Sequence, residues 1–141
     1  MSRSRDIEIT FARTQAVSDL VAALERGGWA FGEGKIRYLV DPDFFDWDEV
    51  GVSERSKAMR ELEAASAQLG CGFQMAWGDE GQEASFLLLD SGRLLSVSPF
   101  AELAFRGDTG MFLDHEWYLS RVMPVLFDRG VNGFSCRDLQ D

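Results

Sequence analysis

The strongest constraint on the fold lies in the middle of the chain. Three apolar runs, Cys71 to Trp77, Glu83 to Leu89 and Arg93 to Val97, are joined only by Gly78-Asp79-Glu80-Gly81-Gln82 and by Asp90-Ser91-Gly92. Such short connections cannot hold the helical crossover that parallel neighbours require, so the runs must pair antiparallel as a meander. Gly92 falls where a three-residue loop needs a left-handed residue. In the first run Cys71, Phe73, Met75 and Trp77 share one face, while Gly72, Gln74 and Ala76 share the other. One face of the sheet is therefore large, apolar and in need of cover.

The flanking segments supply that cover. Ile7, Ile9 and Phe11 alternate with Asp6, Glu8 and Thr10 as in a half-buried strand. Thr14 then stands as the N-cap of a helix bearing Val17, Leu20, Val21 and Leu24 on one side, stopped at Gly27-Gly28. Trp29 to Phe31 and Lys35 to Val40 flank Gly32-Glu33-Gly34 and read as a hairpin, and Asp41 to Val50 reads as irregular. Ser53 is the expected cap of a second helix carrying Met59, Leu62, Ala65 and Leu69, closed by Gly70. Ser98-Pro99 reads as the start of a short helix over Phe100, Leu103 and Ala104, ended by Gly107. Asp114 is the expected cap of a longer helix with Leu119, Val122, Met123 and Leu126, kinked or split by Pro124, and Val131 to Cys136 is a last strand. The order is β-α-β-β-α-β-β-β-α-β. This predicts one α+β domain over residues 1–141, a largely antiparallel sheet covered by about three helices. The 11 Phe, 4 Trp and 2 Tyr are ample for a single core.

Nothing at the N-terminus reads as a secretory signal, and the longest purely aliphatic or aromatic run, Phe86 to Leu89, is far short of a membrane helix. A soluble, cytoplasmic protein is expected, with Cys71 and Cys136 as buried reduced thiols. The formal charge of -10 argues against nucleic acid as a partner, since phosphate binding needs a basic stripe.

The charge is not spread evenly. Residues 1–26, 51–70 and 93–110 are each neutral, whereas 27–50 and 71–92 carry -4 apiece and 111–141 carry -2. The excess thus belongs to two hairpin-and-loop stretches, which form one acidic face if they lie on the same side of the sheet. The densest part is Asp41-Pro42-Asp43-Phe44-Phe45-Asp46-Trp47-Asp48-Glu49, five carboxylates among three aromatics. It reads either as a solvated loop whose aromatics tuck under the domain or as a recognition surface, since aromatics beside charges typify protein-interface hot spots. The EF-hand pattern fails at Phe45, Asp46 and Val52, leaving only an irregular Ca²⁺ or Mg²⁺ site as a third reading.

Catalytic patterns are weak. Asp114-His115-Glu116 holds the single histidine and reads as a general base with an acidic orienter or, more plainly, as a cap and first helical turn. Asp79, Glu80 and Glu83 sit in and after a turn, where water keeps carboxylates ordinary. Gly32-Glu33-Gly34-Lys35 lacks the length of a phosphate loop, and Gly107-Asp108-Thr109-Gly110 is a lone D-T-G string. One His and two distant Cys give no zinc pattern, so no cofactor or metal is expected.

The stretch Leu24 to Trp47, LERGGWAFGEGKIRYLVDPDFFDW, resembles a pattern of small bacterial immunity proteins, in which a helix ends at a G-W pair, a hairpin carries G-K-I-x-Y-L, and D-x-D-F-x-W follows. The resemblance covers about a sixth of the chain. It implies a small, acidic, cytosolic α+β domain of a contact-dependent growth inhibition or related polymorphic toxin system, which blocks one cognate toxin, commonly a basic nuclease. On that reading Asp41, Asp43, Asp46, Asp48, Glu49, Asp79, Glu80 and Glu83 supply charge to the toxin-binding surface, and Trp47 with Phe44 or Phe45 supplies the apolar contact. A non-toxin adaptor or small-ligand-binding module is the alternative, and a small hydrolase using His115 the third. A binding protein is favoured over an enzyme, and the sequence leaves the oligomeric state open.

Overall fold

A computed structural model describes residues 3–43, 46–78, 82–99, 105–106, 112–113 and 115–140. The elements are β1 (Arg3–Phe11), α1 (Val17–Gly27), β2 (Trp29–Ala30), β3 (Lys35–Leu39), β4 (Asp48–Gly51), α2 (Arg55–Ser66), β5 (Cys71–Trp77), β6 (Gln82–Leu89), β7 (Leu94–Pro99), β8 (Phe105–Arg106), β9 (Phe112–Leu113), α3 (His115–Leu126) and β10 (Val131–Gln140). Eight strands form one antiparallel sheet in the order β10-β1-β7-β6-β5-β3-β4, with β2 also paired to β5, while β8 and β9 pair separately. The α+β class, the antiparallel sheet and the β5–β6–β7 meander are as the turn lengths require.

Period-2 alternation decides which side is covered. Ile7, Ile9 and Phe11 of β1, Phe73 and Met75 of β5, Ala84, Phe86 and Leu88 of β6, and Leu95 and Val97 of β7 form one buried cluster. Val17, Leu20, Val21 and Leu24 of α1, Ala58 and Leu62 of α2, and Tyr118, Val122 and Leu126 of α3 complete it. The three helices therefore lie on one face. Each valine, leucine, isoleucine, methionine or phenylalanine among them contributes roughly 1.5–3 kcal/mol on burial, which makes this cluster the main source of stability.

The structure corrects several sequence expectations. The hairpin around Gly32-Glu33-Gly34 does not form: β2 and β3 both pair with β5, through Trp29 opposite Trp77 and Tyr38 opposite Phe73, so residues 31–37 form an excursion along one edge of β5. The irregular segment contains β4, which pairs Asp48 with Tyr38 and Glu49 with Arg37. Ser98-Pro99 starts no helix, because β7 continues opposite Ser85 and Ala84 of β6, and Phe105–Arg106 is a strand rather than helix. Pairing of β7 with β1 ends at Val97, so Pro99 lies where the strand has β6 alone as a neighbour, an edge position that proline tolerates. Phe100, Leu103, Ala104, Gly107, the D-T-G string and Asp114 lie outside the described residues. Pro124 does not split α3, which runs from His115 to Leu126. The last strand extends past Cys136 to Gln140 and pairs with β1 from Arg3 to Phe11.

Helix starts differ in a consistent way. Helix α1 begins after Ala16 rather than at Thr14, with no side-chain cap of its own. Its first turn is capped from α2 instead: the Ser18 backbone N–H and hydroxyl donate to Glu63 Oε1 at 2.8 and 3.0 Å. This carboxylate satisfies a donor that the helix itself leaves open. Arg55, the first residue of α2 although Ser53 has the better capping side chain, donates through Nη1 to Glu25 of α1 at 2.8 Å. Each helix is thus tied at its start to the other.

Both thiols are free, but only Cys71 is buried, and Cys136 is exposed on β10, contrary to the expectation of two buried thiols. Burial first, then the charge of Glu63, pushes the Cys71 thiol up to about 12. Thiolate is the reactive form, so excess maleimide should label one site on the native protein and two after denaturation. Intact mass before and after urea would show it, and rapid double labelling of the native chain would contradict the assignment.

Candidate functional site

The sheet face opposite the helices is built by the other half of each alternation. Asp6 and Glu8 of β1, Ser96 of β7, Ser85 of β6, Gln74 of β5, Arg37 of β3 and Glu49 of β4 all project there, interleaved with core residues. Glu49 and Glu83, which come from the two acidic stretches, line one cleft with Glu33, Lys35, Arg37 and Gln74, a space of about 190 Å³. Residues thirty-four positions apart in sequence thus reach one surface.

Part of that charge is internally balanced. Lys35 Nζ stands 3.2 Å from Glu49 Oε1, and Arg37 Nε stands 3.8 Å from Glu49 Oε2. Further along, Arg137 grips Asp6 with two hydrogen bonds, at 2.7 and 3.1 Å, and lies 3.7 Å from Glu8. These pairs are exposed, so each adds little stability, but they remove carboxylates from the surplus. Lys35 and Arg37 were not among the expected site residues. Their signal was present, since they alternate with the buried Ile36 and Tyr38.

The acidic loop is seated on the same face by two glycines. Gly72 leaves room for the Trp47 indole: a Cβ built there would meet Leu87 Cδ2 at 2.6 Å and Trp47 Cη2 at 3.3 Å. At Gly70 the corresponding Cβ would meet the Leu88 carbonyl at 2.9 Å and Pro42 Cγ at 3.3 Å. Trp47 is consequently half-buried rather than presented whole to a partner. Between these supports, the Asp41 carboxylate accepts the Asp43 backbone N–H at 3.0 Å, and Asp43 and Asp46 are exposed. Among the described residues no basic side chain pairs with Asp41, Asp43, Asp46 or Glu83. Asp48 differs: its register opposite Tyr38 turns it to the helix side of the sheet edge. There the Tyr38 hydroxyl donates to Glu61, and that bond, then burial and the nearby carboxylates, pushes Tyr38 up to about 12. Phe44, Phe45, Asp79 and Glu80 lie outside the described residues.

His115 opens α3, and its Nε2 is buried with no hydrogen-bond partner among the described residues. A general base needs a proton to take and a partner that orients it, and Asp114, the orienter expected from the sequence, lies outside the described residues. Among the described residues no three His, Cys, Asp or Glu side chains converge as a metal site requires, and no helix is long and apolar enough to cross a membrane. The fold and this face define an antiparallel α+β domain with helices on one side and a polar, acid-rich sheet on the other. No family model, curated protein or solved structure matches the chain.

Proposed function

We propose that the chain is an immunity protein that neutralises a cognate basic toxin domain by covering it with the helix-free, acid-rich face. The supporting observation is that the two acidic stretches meet on that face: Glu49 and Glu83 line one cleft and Trp47 rests over Gly72, while among the described residues the exposed Asp43 and Asp46 of the same loop, and Glu83, have no basic neighbour. Such carboxylates attract a basic partner over distances of about a Debye length and raise its association rate above the neutral range of ~10⁵–10⁶ M⁻¹s⁻¹. Glu49 then serves to hold Lys35 and Arg37, and Trp47 to hold the loop. On this face a small ligand has less support than a protein partner, because its cleft of about 190 Å³ is below the roughly 300–1,000 Å³ of ordinary ligand sites.

The test sets the triple variant Asp43→Asn, Asp46→Asn, Glu83→Gln beside the wild type against a toxin domain sought in the reading frame adjacent to that of this chain. At low salt its association rate should fall at least about tenfold, with the difference shrinking as salt screens the field. Cells expressing the toxin should lose protection at matched expression. Unchanged association at low salt, with full protection, removes the acidic face from the mechanism.

A further inference from the structure

The two edges of the sheet are built differently. Strand β4 is short, Asp48 to Gly51, and carries two carboxylates, a common way of keeping an edge from pairing with another chain. Strand β10 runs ten residues and has no neighbour on its outer side among the described residues. Beside it, on the helix side of the sheet, lies an apolar groove of about 810 Å³ lined by Leu119, Met123 and Pro124 of α3, by Phe127, and by Phe134 of β10 itself. Phe127 is 78% exposed and Phe134 56%. Apolar patches bordering an unprotected edge mark interaction surfaces rather than ordinary solvent-facing ones.

We propose that β10 pairs antiparallel with β10 of a second copy of this chain, about a two-fold axis normal to the sheet. That symmetry preserves the faces, so both sets of helices stay on one side and the two apolar grooves adjoin across the seam. One contact then satisfies the open backbone edge and covers Phe127 and Phe134 together. Charge selects a second copy over a basic partner at this place. Among the described residues Glu116 is the one charged residue lining the groove; of the two charges on the strand, Arg137 is held by Asp6 on the opposite face and Asp138 stands in register with Arg5 of β1. The groove thus carries a single charge in a chain of charge -10, so like-charged copies meet there at little cost and a basic partner gains little. The groove also contributes apolar area. At their exposures the two phenylalanines alone supply roughly 200–330 Å² per copy. The edge backbone, Leu119, Met123 and Pro124 add to this, against roughly 800 Å² for a standard interface.

Light scattering on the full chain over a micromolar to millimolar dilution series is expected to give twice the 15.8 kDa of one chain at the upper end. Dimerisation should tighten as salt rises, opposite to a complex with a basic toxin, so the two interactions can fail separately. Phe127→Asp and Phe134→Asp should each raise the dimer Kd at least about 30-fold, as loss of a hot spot does. Their thermal midpoints at monomeric concentration should stay near that of the wild type. A flexible bismaleimide should link Cys136 to Cys136 of the second copy in the wild type and not in the variants, with buried Cys71 silent. A wild-type chain monomeric throughout overturns the proposal and leaves the edge to a strand of another protein. A dimer that both aspartates leave intact overturns it too.

Discussion

Trp29→Ala is expected to lower stability by about 3–5 kcal/mol, the range for emptying a large aromatic site, against a total of ~5–15 kcal/mol for a domain. Trp29 follows Gly28, whose φ of +118° ends α1, and the ring is fully buried where α1, α3 and β5 meet. It stands edge-on to Phe86, Trp77 and Trp117 at centroid distances of 5.2, 5.5 and 6.1 Å. Its Nε1–H donates to the Arg121 carbonyl at 3.1 Å, so alanine leaves a cavity and a carbonyl without its donor. Arg121 in turn lies over the Trp117 ring at 4.2 Å, and that ring would lose one of its supports. Trp29→Phe keeps most ring contacts and loses the donor, and should cost less, on the order of 1–2 kcal/mol. Urea unfolding of the three proteins at one pH gives the comparison. An alanine variant within about 1 kcal/mol of the wild type would mean that the site collapses around the missing ring.

Elements fixed by short-range geometry were legible in the sequence, and those fixed by distant partners were not. The β5–β6–β7 meander follows from loops too short for a crossover, with Gly92 at φ +83° where the turn demands it. The apolar stripes of α1, α2 and α3 follow from helical period. In contrast, the start of α1 is set by Glu63, 45 residues beyond Ser18, and no local signal announces it. Gly32-Glu33-Gly34 does carry left-handed residues, Glu33 at φ 58° and Gly34 at φ 69°, yet the strands beside it pair with β5 instead of each other. Strand β4 was hidden because Asp48, Glu49 and Gly51 disfavour strands, and its pairing with β3 overrides that preference.

The candidate site was legible to the same degree. Segment sums of charge located the acid, and alternation in β3 and β6 was enough to put Arg37 and Glu83 opposite the core. What composition could not supply was register. Only the pairing of β3 with β4 shows that Glu49 lies beside Arg37 and that Asp48, its neighbour in sequence, faces the other way. The contribution of Trp47 was ambiguous for the same reason, since its seat, Gly72, lies 25 residues on in a different strand.

The two glycines under the acidic loop carry the second large effect, Gly70 the larger part of it. Gly70→Ala is expected to destabilise by roughly 2–4 kcal/mol, because the residue holds φ +116° and its new Cβ would press on the Leu88 carbonyl, which is backbone and cannot swing aside. The same Cβ crowds Pro42, so the acidic loop should loosen even in molecules that stay folded. Gly72→Val acts on the other support by driving Leu87 and the Trp47 indole off the sheet, without a positive φ to strain. Its stability cost should be smaller, roughly 1–3 kcal/mol. Both variants should speed chymotrypsin cleavage within 41–47, measured well below their unfolding midpoints, and slow association with the toxin although every carboxylate is retained. Trp47→Ala separates seat from occupant, since it frees the loop with neither backbone strain nor a clash at β5. If cleavage and association in Trp47→Ala match the wild type, the indole does not hold the loop, and the charge of Asp43 and Asp46 acts without a fixed position.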